Sequence, residues 1–343
     1  GASMPALAAM SSRRYAYKYE LSLEELRNML AAVSIKNHKN AIHNPLAQFQ
    51  KEINLEKYLS SKMISTPLCL YDCAAISDGA VAALISADPG PVRISGLGQA
   101  GDTLALSERD SFTSFSSTIT AADSAYSMAD LSPKDIDVVA IHDAFTMFEI
   151  VGTEDLGFFP PGRGGYAVLD GLTDLNGSIP VNPCGGLKAR GHPVGASGLA
   201  QIHEIYRLLM ENPGWDIGLT QSIGGLANNN LVCILEKVGH GKRVFGYDIG
   251  WRPREIEPHH PPKKSAFSDL FGLLSSKKGR IATFTTLYTV PEGFSEKELR
   301  IAVVKVKDGH HVMGIMLSPE DEYGIGTRVK ILERDGKPFF EVR

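Results

Sequence analysis

The chain is short of cysteine, of long apolar runs and of any excess of charge, and each shortage removes a class of protein. Only four cysteines occur in 343 residues, at Cys69, Cys73, Cys184 and Cys233. A disulfide-built secreted fold uses more in a shorter chain. Cys69 and Cys73 have no second pair to complete a zinc ligand set, so no metal is expected. No apolar run reaches the roughly 20 residues of a membrane-spanning helix, and no secretory signal pattern stands out, so a cytoplasmic location is the expectation. Lysine and arginine total 35 against 39 acidic residues, a net charge of -4, with the basic residues scattered. Neither nucleic acid nor a membrane is therefore expected as a partner.

What is present is a chain 43% hydrophobic and 22% charged, long enough for a sizeable core and more than one domain. Its most distinctive stretch runs from Asn182 to Gly198, with five glycines and His192 in seventeen residues, followed by an amphipathic helix over Leu199 to Met210. Glycine-rich backbone approaches a ligand closely, and the start of a helix adds a positive dipole end. A histidine held there is placed for acid/base work near neutral pH.

Around this stretch the pattern alternates between helix and strand. Helical spacing over Pro5 to Tyr19 is followed by Ser22 with Glu25, a capping box that opens a second helix through Val33. His38 and His43 then fall in a polar closing segment and read as surface or loop histidines. A short helix is expected near Leu55 to Leu59 and a small-residue helix over Ala80 to Ala87, before a break at Asp88-Pro89-Gly90-Pro91. Val92 to Leu97 alternates as a strand, Thr118 to Met128 reads as a helix, and Ile136 to Ile141 is an apolar strand delivering His142-Asp143-Ala144-Phe145 at its end. Strand ends are where α/β folds commonly carry their ligand groups. Gly157 to Pro183 is mostly loop, while Ile217 to Gly225 and Asn228 to Glu236 form a strand pair with Cys233 in the core. Gly239 to Lys264 lacks periodicity and reads as a linker. Five short strands follow, at Ile281–Val290, Leu299–Val306, His311–Leu317, Thr327–Arg334 and Pro338–Val342, with turns at Pro291-Glu292-Gly293, Asp308-Gly309 and Asp335-Gly336. This spacing suggests a small barrel of OB type.

Lys36-Asn37-His38, Ser77-Asp78-Gly79-Ala80, His142-Asp143-Ala144-Phe145, Gly191-His192-Pro193 and Ser222-Ile223-Gly224-Gly225 occur in an order that resembles the thiolase superfamily, closest to the archaeal and sterol-carrier-protein types. The resemblance implies an α/β fold, with the thiolase layered α-β-α arrangement incomplete in its first half. Residues 1–90 would be the remainder of that first half with its loop region, 91–238 the carboxyl-terminal thiolase domain, and 239–276 a linker. Residues 277–343 resemble the OB-fold barrel of the acyl-CoA-associated family; its cysteine-paired ribbon is absent here, so again no zinc is expected.

By the same resemblance the chain is an acyl-CoA acyltransferase acting at a carbon-carbon bond, with coenzyme A as substrate. His192 matches the activator of the nucleophilic cysteine, His142 the holder of an oxyanion-hole water, and the Gly224 N–H a donor of the second hole. Gly191, Ser197 and Phe145 fall at substrate-binding positions. The family's acylated cysteine has no counterpart here, and Ser222 and Ala144 stand where its members place an acid/base cysteine. Cys184 is the nearest thiol in sequence, with an acid/base role and a buried structural role equally open. Either the chain is a fragment or a companion chain supplies the missing segment, and a homo-oligomer is expected. A thiolase-like aldolase, with Tyr166 as its phenolic candidate, and a non-catalytic acyl-CoA-binding scaffold are the two competing readings.

Overall fold

The computed structural model describes residues 2–238, 278–290, 297–307, 309–334 and 337–343. The expected linker lies wholly outside these residues, as do the turns at 291–293 and 335–336 and Asp308 of the remaining barrel turn. Helix α1 (Met4–Lys18) starts behind an extended Ser3 with proline in its first turn, where a missing N–H costs nothing. Helix α2 (Leu23–Asn40) carries the expected capping box: the Glu25 N–H donates to Ser22 Oγ, and the Ser22 N–H to Glu25 Oε2. It runs further than its apolar spacing predicted. His38, expected at the surface, is consequently buried on its inner face, its ring beside Phe49 and Tyr71.

A short helix α3 (Leu55–Leu59) leads into strands β1 (Met63–Ser65) and β2 (Leu68–Cys69). The helix expected over Ala80 to Ala87 does not form. That segment has no regular secondary structure and is open, with Leu84 97% and Ile85 78% exposed. Its small residues have the propensity for a helix, but a run this short is stable only when a neighbour packs against it.

The central sheet contains β3 (Val92–Gly101), β4 (Val138–Ile141), β5 (Ile217–Gly224) and β6 (Asn229–Lys237), in the order β3-β6-β5-β4. Only β4 and β5 are parallel; the other pairs are antiparallel. Helix α4 (Ser116–Ala129) covers one face, with Ala121 and Ala125 in a core shared with Val139, Ile141, Val232 and Ile234. Helix α8 (Ser197–Glu211) covers the other, through Ile205 and Leu209 against Val138, Ala140 and Cys233. Cys233 is thus a core residue, as expected.

The closeness of α4 to β3 depends on missing side chains. A Cβ at Gly98 would lie 1.8 Å from the Ala121 carbonyl oxygen, and one at Gly96 would lie 2.3 Å from that of Ala125. Gly98→Ala therefore has to push the helix off the sheet and is expected to cost about 3 kcal/mol, at the upper end of overpacking penalties. Urea unfolding of the variant beside Gly101→Ala, where a Cβ meets nothing closer than 3.5 Å, measures this.

Between β4 and the glycine-rich stretch lie α5 (Thr146–Asp155), which the sequence reading did not separate, and α6 (Gly164–Leu169), inside the segment expected to be loop. Helix α7 (Gly186–Arg190) then turns the chain toward α8.

The carboxyl-terminal strands β7 (Lys278–Leu287), β8 (Leu299–Val306), β9 (His311–Met316), β10 (Arg328–Arg334) and β11 (Lys337–Val342) close into a barrel in the order β7-β8-β9-β11-β10-β7. The β9–β11 pair alone is parallel. The barrel has a core of its own, including Phe284, Val304, Val329 and Phe340. It is also sewn to the rest of the chain. Ser65 of β1 pairs with Leu287 of β7, the Thr66 N–H donates to the Thr286 carbonyl, and the Thr283 hydroxyl donates to the Met10 carbonyl. Arg13 of α1 lies over the Phe284 ring and is ion-paired with Glu320.

Candidate functional site

The candidate site forms where the ends of β4 and β5 meet the first turn of α8. Gln201 of α8 fixes this junction: its Nε2 donates to the carbonyls of Ala140 and Gln221, both at 3.0 Å. Gln221 in turn accepts the His142 N–H at Oε1, 3.1 Å. His142 is thereby placed just beyond β4, 5% exposed.

His192 reaches the same corner from the glycine-rich stretch. Its N–H donates to the Ala75 carbonyl, 3.0 Å, and its carbonyl accepts the Ser77 N–H, 3.4 Å. The extended segment around Ile76 therefore pins the histidine backbone. The two imidazoles stand edge to face, centroids 5.1 Å apart with 89° between the planes. Burial, then the neighbouring His192 and Arg190, holds His142 down to about 3. Burial and Arg190 also lower His192 from its ordinary value. The Nδ1 of His142 is buried with no hydrogen-bond partner among the described residues, a state that native proteins seldom leave uncompensated. Two neutral imidazoles at one spot offer both a proton acceptor and a donor to an oxygen on which charge develops.

His38 behaves like His142: burial, then Lys188, holds it down to about 4. A histidine whose folded pKa is depressed contributes stability in full above its unfolded value of about 6.5, and loses it as the pH falls toward the folded value. Each of these two residues is therefore expected to remove about 1.4 kcal/mol per pH unit below pH 6. An NMR titration of the histidine Cε1 protons should find neither midpoint above pH 5.

The glycine-rich stretch is braced from behind by buried polar groups drawn from three of the quoted motifs and joined by Glu149, which no motif contained. Asp143 accepts from the Leu187 N–H (2.6 Å), the Lys188 N–H (3.2 Å) and Asn37 Nδ2 (2.8 Å). A Cβ on Gly186 would lie 2.4 Å from that carboxylate, so only glycine admits the contact. Asn37 and Asn182 both donate to Glu149 Oε2, and Lys36 Nζ closes the set 2.9 Å from Glu149 Oε1 and 2.7 Å from the Val181 carbonyl. Burial, and after it Glu149, pushes Asp143 up to about 7. The sequence signal was available: Lys36 and Glu149 sit on the apolar faces of helices, where an unpaired charge is costly. Arg190 and Glu204 form a second buried pair, 3.1 Å, beside the stretch.

The remaining sequence candidates divide between this corner and the core. Gly191, at φ +113°, faces Ser77 and Gln48. Ser197 lies in the first turn of α8 with its hydroxyl 2.7 Å from His192 Nδ1. Ser222 lies against that turn, its Oγ 2.9 Å from where a Gly198 Cβ would be. Gly224 ends β5, paired with Asn229. Phe145 is 7% exposed and packs edge-on against Phe148, as a core side chain does. Cys184 is equally buried, its Sγ accepting from Arg207 at 3.4 Å, and burial pushes the thiol up to about 12. No hydrogen bond joins it to His142 or His192 among the described residues. Tyr166 lies under the Arg163 guanidinium beside the α1–α2–α5 core, also without a bond to either histidine.

Residues 98–237 match the family described as Thiolase C-terminal domain-like. An acetyl-CoA acetyltransferase of Methanothermobacter thermautotrophicus is 43% identical over 250 residues, covering 69% of this chain and 64% of that relative. The chain thus spans just under two thirds of the length of this relative. A monomeric SCP2-thiolase like protein type 1 from Mycobacterium smegmatis shares the fold over 100% of this chain and 73% of its own, with a TM-score of 0.73 at 16% identity. The Ltp2-ChsH2(DUF35) aldolase matches 67% of this chain and 63% of its own, with a TM-score of 0.58 at 25% identity. The likeness runs through the β3-to-β6 region that carries both site histidines, and residues 98–237 belong to the thiolase C-terminal domain-like family.

Proposed function

We propose that this chain takes part in thiolase-type acyl transfer on coenzyme A thioesters, making or breaking a carbon-carbon bond. The observation that carries the reading is the edge-to-face pair of His142 and His192, both depressed from their ordinary pKa, at the junction of β4, β5 and α8. His192 serves as the base that takes a thiol proton, and His142 as the residue that holds a water against the thioester oxygen. The Gly224 N–H is assigned as a further donor to the thioester oxygen, the role its motif position implies. No step calls for a metal.

The nucleophile comes from elsewhere in this reading. Burial pushes Cys69 up to about 11 and Cys73, Cys184 and Cys233 up to about 12, so none offers a thiolate near neutral pH. We assign the missing thiolate to a companion chain or to a further segment of this polypeptide. Support for such a neighbour comes from apolar side chains left open beside His192 and along the segment that pins it: Val194, Ile76, Leu84 and Ile85 are each more than half exposed. No described helix is long and apolar enough to cross a membrane.

The test is thioester cleavage of acetoacetyl-CoA with free CoA, by the chain alone and with any co-purifying protein. Turnover only in the presence of the companion is the expected result. CoA binding without turnover in either preparation would sink the acyltransferase reading in favour of a scaffold. The aldolase reading has one observation in its favour, the likeness to the Ltp2-ChsH2(DUF35) aldolase. Retro-aldol release of a ketone from a β-hydroxyacyl-CoA, without dependence on added CoA, would establish it instead.

A further inference from the structure

Ser197 is fully buried at the start of α8, and its hydroxyl makes two contacts. Its Oγ lies 3.0 Å from the Pro193 carbonyl oxygen and 2.7 Å from His192 Nδ1. A hydroxyl has one proton to give. If that proton went to Nδ1, Oγ and the Pro193 oxygen would face each other at 3.0 Å with no hydrogen between them, lone pair against lone pair. If it goes to the carbonyl, both contacts become hydrogen bonds, and Nδ1 must then be the donor. Burial leaves no solvent to rescue the first arrangement.

From this geometry we infer that Ser197 fixes His192 as the Nδ1–H tautomer, so that Nε2 carries the lone pair toward the site. Which ring nitrogen acts is set by the hydrogen bond made by the other. No hydrogen bond to His192 Nε2 occurs among the described residues, which leaves that atom open to take a proton. Ser197 is thus a positioning residue: it acts through His192 and touches no reacting atom. The backbone gives the ring little freedom to choose otherwise, because the segment around Ile76 pins His192 on both sides and the Ala196 and Ser197 N–H groups, at 2.8 and 2.9 Å, anchor the Pro193 carbonyl that receives the hydroxyl proton. A protonated His192 keeps the same Nδ1–H···Oγ bond, so the base returns its proton without reorienting.

The tautomer stands on geometry alone, whereas its use in catalysis rests on the acyltransferase reading, and two measurements separate them. The first is long-range ¹H–¹⁵N correlation NMR of the full chain with ¹⁵N-histidine at pH 7.5, assigned with His192→Gln. The expected result is an Nδ1–H pattern for His192 in the native chain and in Ser197→Thr, lost in Ser197→Ala. An Nε2–H pattern in the native chain overturns the inference, and this spectrum needs no variant to fold. An Nδ1–H pattern that persists in folded Ser197→Ala overturns the role of the hydroxyl. The second measurement is thioester turnover with the companion present. Ser197→Ala should lower kcat by about 10- to 100-fold, the usual loss when a histidine's orienting partner is removed, with KM little changed and Ser197→Thr restoring the rate. A kcat unchanged in Ser197→Ala would refute the positioning role. An Nδ1–H spectrum in a native chain without turnover would uphold the tautomer and reject the acyltransferase reading.

Discussion

Replacing Lys36 by methionine is expected to lower the unfolding free energy by about 3–5 kcal/mol, the typical cost of leaving one partner of a buried ion pair alone. Lys36 and Glu149 have 5% and 0% of their side chains exposed, so water cannot replace the lost ammonium. The Val181 carbonyl loses its donor at the same time. Glu149 would keep the two amides of Asn37 and Asn182, and Asn37 also serves Asp143, whose carboxylate holds the start of α7. The damage therefore spreads toward the glycine-rich stretch. Urea unfolding monitored by tryptophan fluorescence and circular dichroism measures the loss. The double variant Lys36→Met/Glu149→Gln is expected to recover part of it, because no uncompensated carboxylate remains. A loss below about 1 kcal/mol would mean that the pair is solvated in a way its burial denies.

His192→Ala is expected to lower kcat/KM for thioester cleavage by about 10²- to 10⁴-fold once the companion is present, as removal of a general base does. Cys184→Ala should change the same constant little, since the thiol is bound to Arg207 and joined to neither histidine. The pH profile carries a second signature. A base works in its deprotonated form, and burial together with Arg190 lowers His192. The acid limb of kcat/KM should therefore fall below the ordinary histidine value of about 6.5, and Arg190→Gln should move it upward. An acid limb above 6.5 in the native protein would assign the base elsewhere.

Much of the architecture was legible because its signals are local. The Ser22–Glu25 capping box, the apolar run ending at Ile141, and the evenly spaced barrel strands each act over a few residues, and the structure forms an element at each. His142 and His192, from two separate motifs, stand with ring centroids 5.1 Å apart. What stayed hidden depends on neighbours. The burial of His38 follows from α2 running past its amphipathic stretch into the core. Ala80 to Ala87 has a helical composition but little packed over it, and it forms no regular element. The pairing of Lys36 with Glu149 joins residues more than a hundred positions apart, which no window of periodicity reaches. The Ser197–His192 bond was within reach, five residues apart, but depends on a turn geometry that the glycines of the stretch set and composition does not encode.

The seam between β1 and β7 has a consequence for how this protein comes apart. Leu287, Leu299, Ile301 and Val303 of the barrel share one apolar core with Met10, Leu30 and Phe148. An excised barrel would carry that face into water, and the remainder would lose the strand that β1 leans on. Heat or denaturant should accordingly melt both in a single transition, and a protease that cuts between residues 239 and 277 would leave two nicked pieces still clasped together. In engineering terms the barrel is a cornerstone of the wall it touches and cannot be exchanged for another barrel as a cassette.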